Sequence, residues 1–290
     1  MFLQLVLIGI SVGGVYALIA SGFSLIYSLL GFSNWAHGEV AMIGAYFALL
    51  GMTMVSLPFP LTVLVGMLAA GLISIINERF FYRRIRENKS PTMFFMIAAM
   101  GLSVVYQNAA MLIFGARFQM FPQILPVSSI QIGNVYIGVL DLMLLGIAAV
   151  ALIILEFLLE RTKFGLGVRA VASNSYNASL LGINVDRVFA LVFLLAGLLA
   201  GVAGVLLGLK YNVYPTMGNV ALKAFIASVF GGLGSVRGAI LGALVIGITE
   251  ALVSGYLASG LRDLITFSLL IFILLVKPSG LLGVTVEEKA

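Results

Sequence analysis

The sequence contains no cysteine, so disulfide bridges, thiolate metal sites and cysteine nucleophiles are excluded. It has one histidine, His37, and one tryptophan, Trp35. A single imidazole cannot build a zinc site, and no other cluster of ligating side chains is visible. Charge is also scarce. The 16 Lys and Arg and 11 Asp and Glu amount to 9% of 290 residues, against about 25% in a soluble domain. No Asp, Glu, Lys or Arg occurs in 1–38, 41–77, 90–116 or 188–209. A water-exposed surface cannot be made from so few charges. The phosphate-binding pattern G-x-x-x-x-G-K-S/T is missing, so the chain is not its own nucleotide-driven motor. No nucleophile motif or paired-carboxylate arrangement is present, and no cofactor is expected.

What is present is apolar. Hydrophobic residues make up 62% of the chain, and the mean hydropathy is +1.18. A bilayer's hydrocarbon is about 30 Å thick, which takes roughly 20 apolar residues to span as a helix. The runs are continuous rather than alternating, which excludes a β-barrel. The expected fold is all-α: one polytopic membrane helix bundle over 1–290, with about eight or nine crossings and two broken helices. Candidate spans are 3–20, 39–57, 60–78, 92–114, 135–157, 188–209, 238–256 and 261–276. Apolar pieces at 22–33 and 219–233 are too short to cross comfortably.

The basic residues sit in loops. Arg79, Arg83, Arg84, Arg86 and Lys89 fall in 79–91, and Arg161, Lys163, Arg169 and Arg187 in 158–187. The intervening loop 115–134 holds only Arg117. This bias places both basic loops in the cytoplasm, and explains the net charge of +5 without nucleic acid. The N-terminus then falls outside, with 22–57 as one interrupted crossing. Lys277 favours a C-terminus inside, and the Glu287–Glu288 pair does not discriminate. The start of the chain lacks a basic region and a cleavage site, and reads as a retained helix.

Two interruptions stand out: Gly31 to Glu39, and Phe230 to Gly238, one in each half. Broken helices expose backbone polar groups, which membrane depth tolerates only where protein or a watery cavity satisfies them. Paired interruptions therefore point to a transport route, with Ser33, Asn34, Trp35, His37, Glu39, Gly231, Gly232 and Gly234 as its candidates. The alternative is a pair of interfacial loops, with Trp35 at the headgroups. His37 and Glu39 admit pathway lining or a structural hydrogen bond. Gln107 and Asn108 fall inside a span, where helix packing is the default and pathway lining the second reading. Lys223 and Glu250 would each be costly alone in an apolar region; an ion pair would relieve both, and the alternative is that Glu250 faces a watery vestibule. The glycines from Gly197 to Gly208 read as scaffold.

The segment 160–187 is long and polar. From Arg169 to Gly182 it reads as a short amphipathic helix, with Val171, Ala178, Leu181 and Ile183 as its apolar face. Such a helix lies in the membrane interface or docks a soluble partner.

Several blocks resemble one family. Gly13-Gly14-Val15-Tyr16-Ala17 leads into Gly22-Phe23. Asn34-Trp35-Ala36-His37-Gly38-Glu39 and Met42-Ile43-Gly44-Ala45-Tyr46 follow. Later come Arg169-Ala170 through Gly182-Ile183-Asn184, and Lys223-Ala224-Phe225 through Gly231 to Ser235 and Gly238. Together they resemble the permeases of branched-chain amino acid ABC importers, in the shorter of two permease subunits. The family usually has Phe at the position of Trp35, and often acidic residues near Ser173 and Asn174. The resemblance implies a transport subunit, not an enzyme, in a bacterial or archaeal plasma membrane. It also implies a second homologous permease subunit, two cytoplasmic ATPase subunits and an extracytoplasmic substrate-binding protein as partners. The segment 160–187 would then be the ATPase coupling segment, through Arg169, Ala170, Ala178, Gly182 and Asp186. Neutral aliphatic amino acids are the implied substrates, with urea or short amides as the alternative. A secondary transporter using His37, Glu39 or Glu250 as a proton site is the rival class; an intramembrane enzyme lacks a credible catalytic set.

Overall fold

The computed structural model describes residues 1–124, 129–132 and 135–283. The Glu287–Glu288 pair lies outside the described residues. Helix α1 runs over Phe2–Leu30, about 43 Å at 1.5 Å per residue, longer than the hydrocarbon core. Residues 22–30 of the expected short piece at 22–33 are thus the last part of α1, and 31–33 lie in the loop that follows. No residue between Phe2 and Leu30 interrupts the helix, and Gly31 ends it by taking the left-handed conformation (φ 65°). A tight loop over 31–36 then leads into α2, His37–Met54. The interruption therefore separates two helices.

Pro58 and Pro60 start α3, Phe59–Asn77, where their missing N–H groups leave nothing unsatisfied. A π turn over Glu78–Tyr82 passes into α4, Arg83–Glu87, in one continuous apolar helix of 29 residues. Helix α5 is Thr92–Phe114. An antiparallel hairpin follows, β1 Ser129–Ile132 and β2 Val135–Gly138. It occupies the start of the span expected at 135–157, and α6 begins only at Val139 and ends at Arg161.

Helices α7 (Lys163–Ser173) and α8 (Ser175–Leu180) replace the single amphipathic helix expected there. Asn174 divides them, being extended (φ −162°) with its side chain accepting from the Asn177 N–H at 2.9 Å. Helix α9 is Val185–Lys210, capped by Asn184. A 3₁₀ turn at Met217–Val220 precedes the short α10, Ala221–Gly231. Ser235 caps α11, Val236–Tyr256, and α12 is Arg262–Val276. Among the described residues, seven helices are long and apolar enough to cross a membrane. Helix α2, made less apolar by His37 and Glu39, and the shorter Met217–Gly231 join them in the bundle.

Helix α1 packs against α11, and α9 against α2 and α3, around the buried core. Small residues make this close packing possible: Gly201 meets the backbone of α3, and Gly204 meets the Ala41 carbonyl of α2. The glycine run of α9 is scaffold, as expected. The ends of the bundle sort by contact. At one end Arg83 and Arg86 reach Asp186, Arg237 reaches Glu156 and Glu160, and the Leu281 N–H bonds Phe230 O. This basic end holds both Arg-rich loops, and the described chain finishes there at Gly283. At the opposite end Lys210 pairs with Asp141, and Gln119 bridges to Val213.

Candidate functional site

The loop 31–36 is shaped by one side chain. Asn34 accepts the Ala36 N–H on Oδ1 at 3.2 Å, while its carbonyl accepts the His37 N–H at 3.0 Å. This local turn starts α2 without a separate cap. The same Oδ1 accepts the Tyr82 hydroxyl at 2.8 Å. Tyr82 is fully buried among Phe32, Phe95 and Phe193, with ring centroids 5.3, 6.4 and 5.3 Å away. The loop is therefore tied directly to the π turn.

Around this turn lies a small cavity of about 90 Å³. Ser33, Trp35 and Glu39 reach it from the loop and the start of α2. Phe23 of α1, Ser103 of α5 and Phe225 of α10 face them, and the Gly218 turn closes one side. Phe225 is the common neighbour of the aromatic wall, 5.6 Å from the Phe23 ring and 6.0 Å from the Trp35 ring. Trp35 is 45% exposed at the rim. Glu39 is 4% exposed. Its Oε1 accepts the Ser103 hydroxyl at 3.3 Å, and its Oε2 has no donor. A Cβ on Gly218 would meet the Glu39 carboxylate, so the turn packs closely over that side chain.

The candidates of the first interruption divide. Ser33, Trp35 and Glu39 line the cavity. Asn34 is buried behind it, holding the loop. His37 is also buried behind it, over Gly22 and in edge contact with the Phe23 ring at 4.9 Å. Gln107 is half-buried one turn beyond Ser103 on α5, outside the lining. Asn108 points outward and bonds its own helix at Val104 O. The second interruption is elsewhere, at the basic end. There Gly231 packs on Gly238, and Gly232 (φ 111°) and Gly234 (φ 86°) make the turn from α10 to α11 beside Gly283 and Ser28. Sequence reasoning missed Ser103, Gly218, Phe225 and Tyr82 as partners of the loop. Ser103 stands one turn from Gln107, and Phe225 lies in a block already singled out, so two signals were available.

Two ionic groups flank the cavity. Toward the opposite end, Lys223 pairs with Glu250 and Asp263, each at 2.8 Å. Tyr16 and Thr266 donate to Glu250 at 3.1 and 3.3 Å. The expected ion pair is formed, with the one lysine shared by Glu250 and Asp263. At the basic end, Arg86 bridges Glu78 (3.0 Å) and Asp186 (2.9 Å) and lies over the Phe189 ring at 3.9 Å. Arg83 bridges Glu87 (2.8 Å) and Asp186 (3.0 Å).

The polar segment hangs on this network. Of its candidates, Asp186 is the anchor, at the first turn of α9. Arg169 donates to Leu159 O at 2.5 Å, Ala170 is half-buried, and Ala178 is buried. Gly182 (φ 82°) turns the chain from α8 toward α9. Val171, Ala178 and Ile183 face the bundle as expected, but Leu181 does not. It is 82% exposed. The break at Asn174 rotates α8, so Tyr176, Leu180 and Leu181 project outward together with Leu166 of α7.

Residues 5–275 match the family model described as branched-chain amino acid transport system / permease component. The chain is 38% identical to the high-affinity branched-chain amino acid transport system permease protein LivH of Salmonella typhimurium, over 99% of this chain and 97% of that one. It is 36% identical to the corresponding protein BraD of Pseudomonas aeruginosa, over 99% and 98%. A probable branched-chain amino acid transport permease protein of Methanocaldococcus jannaschii is 31% identical, over 92% and 88%. With seven helices among the described residues long and apolar enough to cross a membrane and this near-complete alignment, the chain belongs to the family of permease components of branched-chain amino acid transport systems.

Proposed function

We propose that this chain is a pore-forming subunit of an ATP-driven importer and lines the route of branched-chain, neutral aliphatic amino acids. A second similar permease, two cytoplasmic ATPase subunits and an extracytoplasmic binding protein complete the machine, in a bacterial or archaeal plasma membrane. The basic end faces the cytoplasm. The relatives' described transport role supports the substrate class.

The observation that carries this reading is a bonded chain from the polar segment to the cavity. Asp186 holds Arg86, and Arg86 holds Glu78 at the start of the π turn. Tyr82 at the end of that turn holds Asn34, whose loop carries Ser33 and Trp35 into the cavity. Single π turns inside α-helices are frequent at functional sites. On the outside of the segment, Leu166, Tyr176, Leu180 and Leu181 present largely exposed apolar side chains. They form the surface that an ATPase groove would cover. Closure of the ATPases would move α7 and α8, and the chain of contacts would bias the loop 31–36 between two arrangements. A carrier driven by an ion gradient needs no such docking surface.

The test is reconstitution. Vesicles holding this chain with its partner permease, the ATPases and the binding protein should accumulate labelled leucine only with ATP on the ATPase side. Vesicles with this chain alone should not. Leucine uptake by the chain alone under a proton or sodium gradient would overturn the reading.

A further inference from the structure

We propose that the cavity at the start of α2 is an ammonium-recognition site, in which the Glu39 carboxylate and the rings of Phe23, Trp35 and Phe225 receive the charged amino group of an aliphatic substrate. The inference rests on the transport reading above and adds selectivity inside the permease itself. Glu39 is an uncompensated acid. The other buried acids of the bundle have basic partners: Glu250 has Lys223, and Glu78 has Arg86. Among the described residues Glu39 makes no ion pair, and its one hydrogen bond, from Ser103, is long at 3.3 Å. Its second oxygen has no donor at all. A carboxylate held this way in an apolar bundle is costly unless a cation or a proton joins it.

The rest of the cavity selects among cations. Phe225 stands between the rings of Phe23 (5.6 Å) and Trp35 (6.0 Å) in one wall, and π faces attract ammonium groups, most strongly where water is excluded. Leu222 and Ala221 supply an apolar floor suited to an aliphatic chain. Ser103 bonds the acid, Ser33 and Asn219 are the other polar side chains of the lining, and their oxygens can accept an N–H. A primary ammonium offers three donors, enough for Oε1, Oε2 and one hydroxyl. The Gly218 turn packs directly on the carboxylate, so an occupant enters only when this turn or the loop 31–36 shifts. That places recognition at the element linked to Tyr82.

The test measures binding to the assembled permease–ATPase complex in nanodiscs, without nucleotide or binding protein. Labelled leucine is competed with leucinol and 3-methylbutylamine, which keep the ammonium, and with 4-methylpentanoate, which lacks it. The two amines should compete and 4-methylpentanoate should not. Glu39→Gln should weaken the amines about tenfold or more, the worth of a charge-assisted hydrogen bond. Trp35→Leu should weaken them about fivefold through loss of one π face. Both variants are checked for assembly by gel filtration and thermal melting, and Trp35→Leu, at the exposed rim, carries the test if Glu39→Gln fails to assemble. Equal competition by 4-methylpentanoate, or amine binding unchanged in an assembled variant, overturns the site. Failure of the transport reading looks different: the amines bind in a Glu39-dependent manner, yet the complete system accumulates no leucine with ATP.

Discussion

Replacing Tyr82 by phenylalanine deletes one oxygen from the link between the π turn and the loop 31–36. The ring itself stays packed among Phe32, Phe95 and Phe193, so no cavity larger than an oxygen opens. Asn34 Oδ1 keeps the Ala36 N–H at 3.2 Å and is not left bare. The expected loss is one buried neutral hydrogen bond, about 1 kcal/mol. If that bond exists in one arrangement of the loop and not the other, the balance between the two shifts about fivefold. The assay is paired: a melting curve of the assembled complex, and ATP hydrolysed per leucine imported in vesicles. Tyr82→Phe should melt a few degrees lower and waste more ATP per leucine. Tyr82→Ala, by contrast, should lose about 3–5 kcal/mol through the cavity it leaves and fail to assemble. A Tyr82→Phe complex with lower melting temperature but unaltered stoichiometry would refute the link, because the hydrogen bond would then be structural only.

Other substitutions test neighbouring parts. Asp186→Asn should cost about 1 kcal/mol or less in stability, since its side chain is 45% exposed, yet should lower ATP-dependent uptake in vesicles by freeing Arg83 and Arg86. Leu181→Asp leaves the bundle untouched and should abolish co-purification of the ATPase subunits. Lys223→Met leaves the buried Glu250 without its nearest cation and should destabilise the chain by about 3–5 kcal/mol, read as lost membrane yield; adding Glu250→Gln should restore much of it. Gly204→Val drives a side chain into the Ala41 carbonyl and should separate α2 from α9, lowering the melting temperature by an overpacking cost of about 1–3 kcal/mol.

Much of this arrangement is legible in the chain itself. Uncharged runs give the helices, and the paired Arg-rich loops give the end at which they sort. The cost of either charge alone suggests the Lys223–Glu250 pair, and the structure chooses it over a watery vestibule for Glu250. Three features are not legible for physical reasons. Residues 22–30 look like a separate piece because Ser21 and Gly22 resemble a break, yet a buried helix tolerates both when a neighbour fills the gap, here His37 over Gly22. The side on which Leu181 emerges depends on the extended backbone at Asn174, a single residue whose effect on phase cannot be read from periodicity. The two interruptions look equivalent, but one lines the cavity and the other makes a tight glycine turn at the basic end. That difference lies in which distant residues arrive, Ser103, Gly218 and Phe225 in one case and Gly283 in the other. Tyr82 gave no local signal, because its role comes from Asn34, 48 positions away.

The absence of cysteine makes the central claim directly measurable. A single thiol placed by Ser33→Cys stands in the cavity wall, and a membrane-impermeant maleimide reports which side reaches it. In the assembled importer the thiol should react from one face of the membrane at rest, and from the other when ATP turnover is arrested by vanadate. A thiol that is sealed from both faces in both states, or open to the same face throughout, would contradict a route that runs past the loop 31–36.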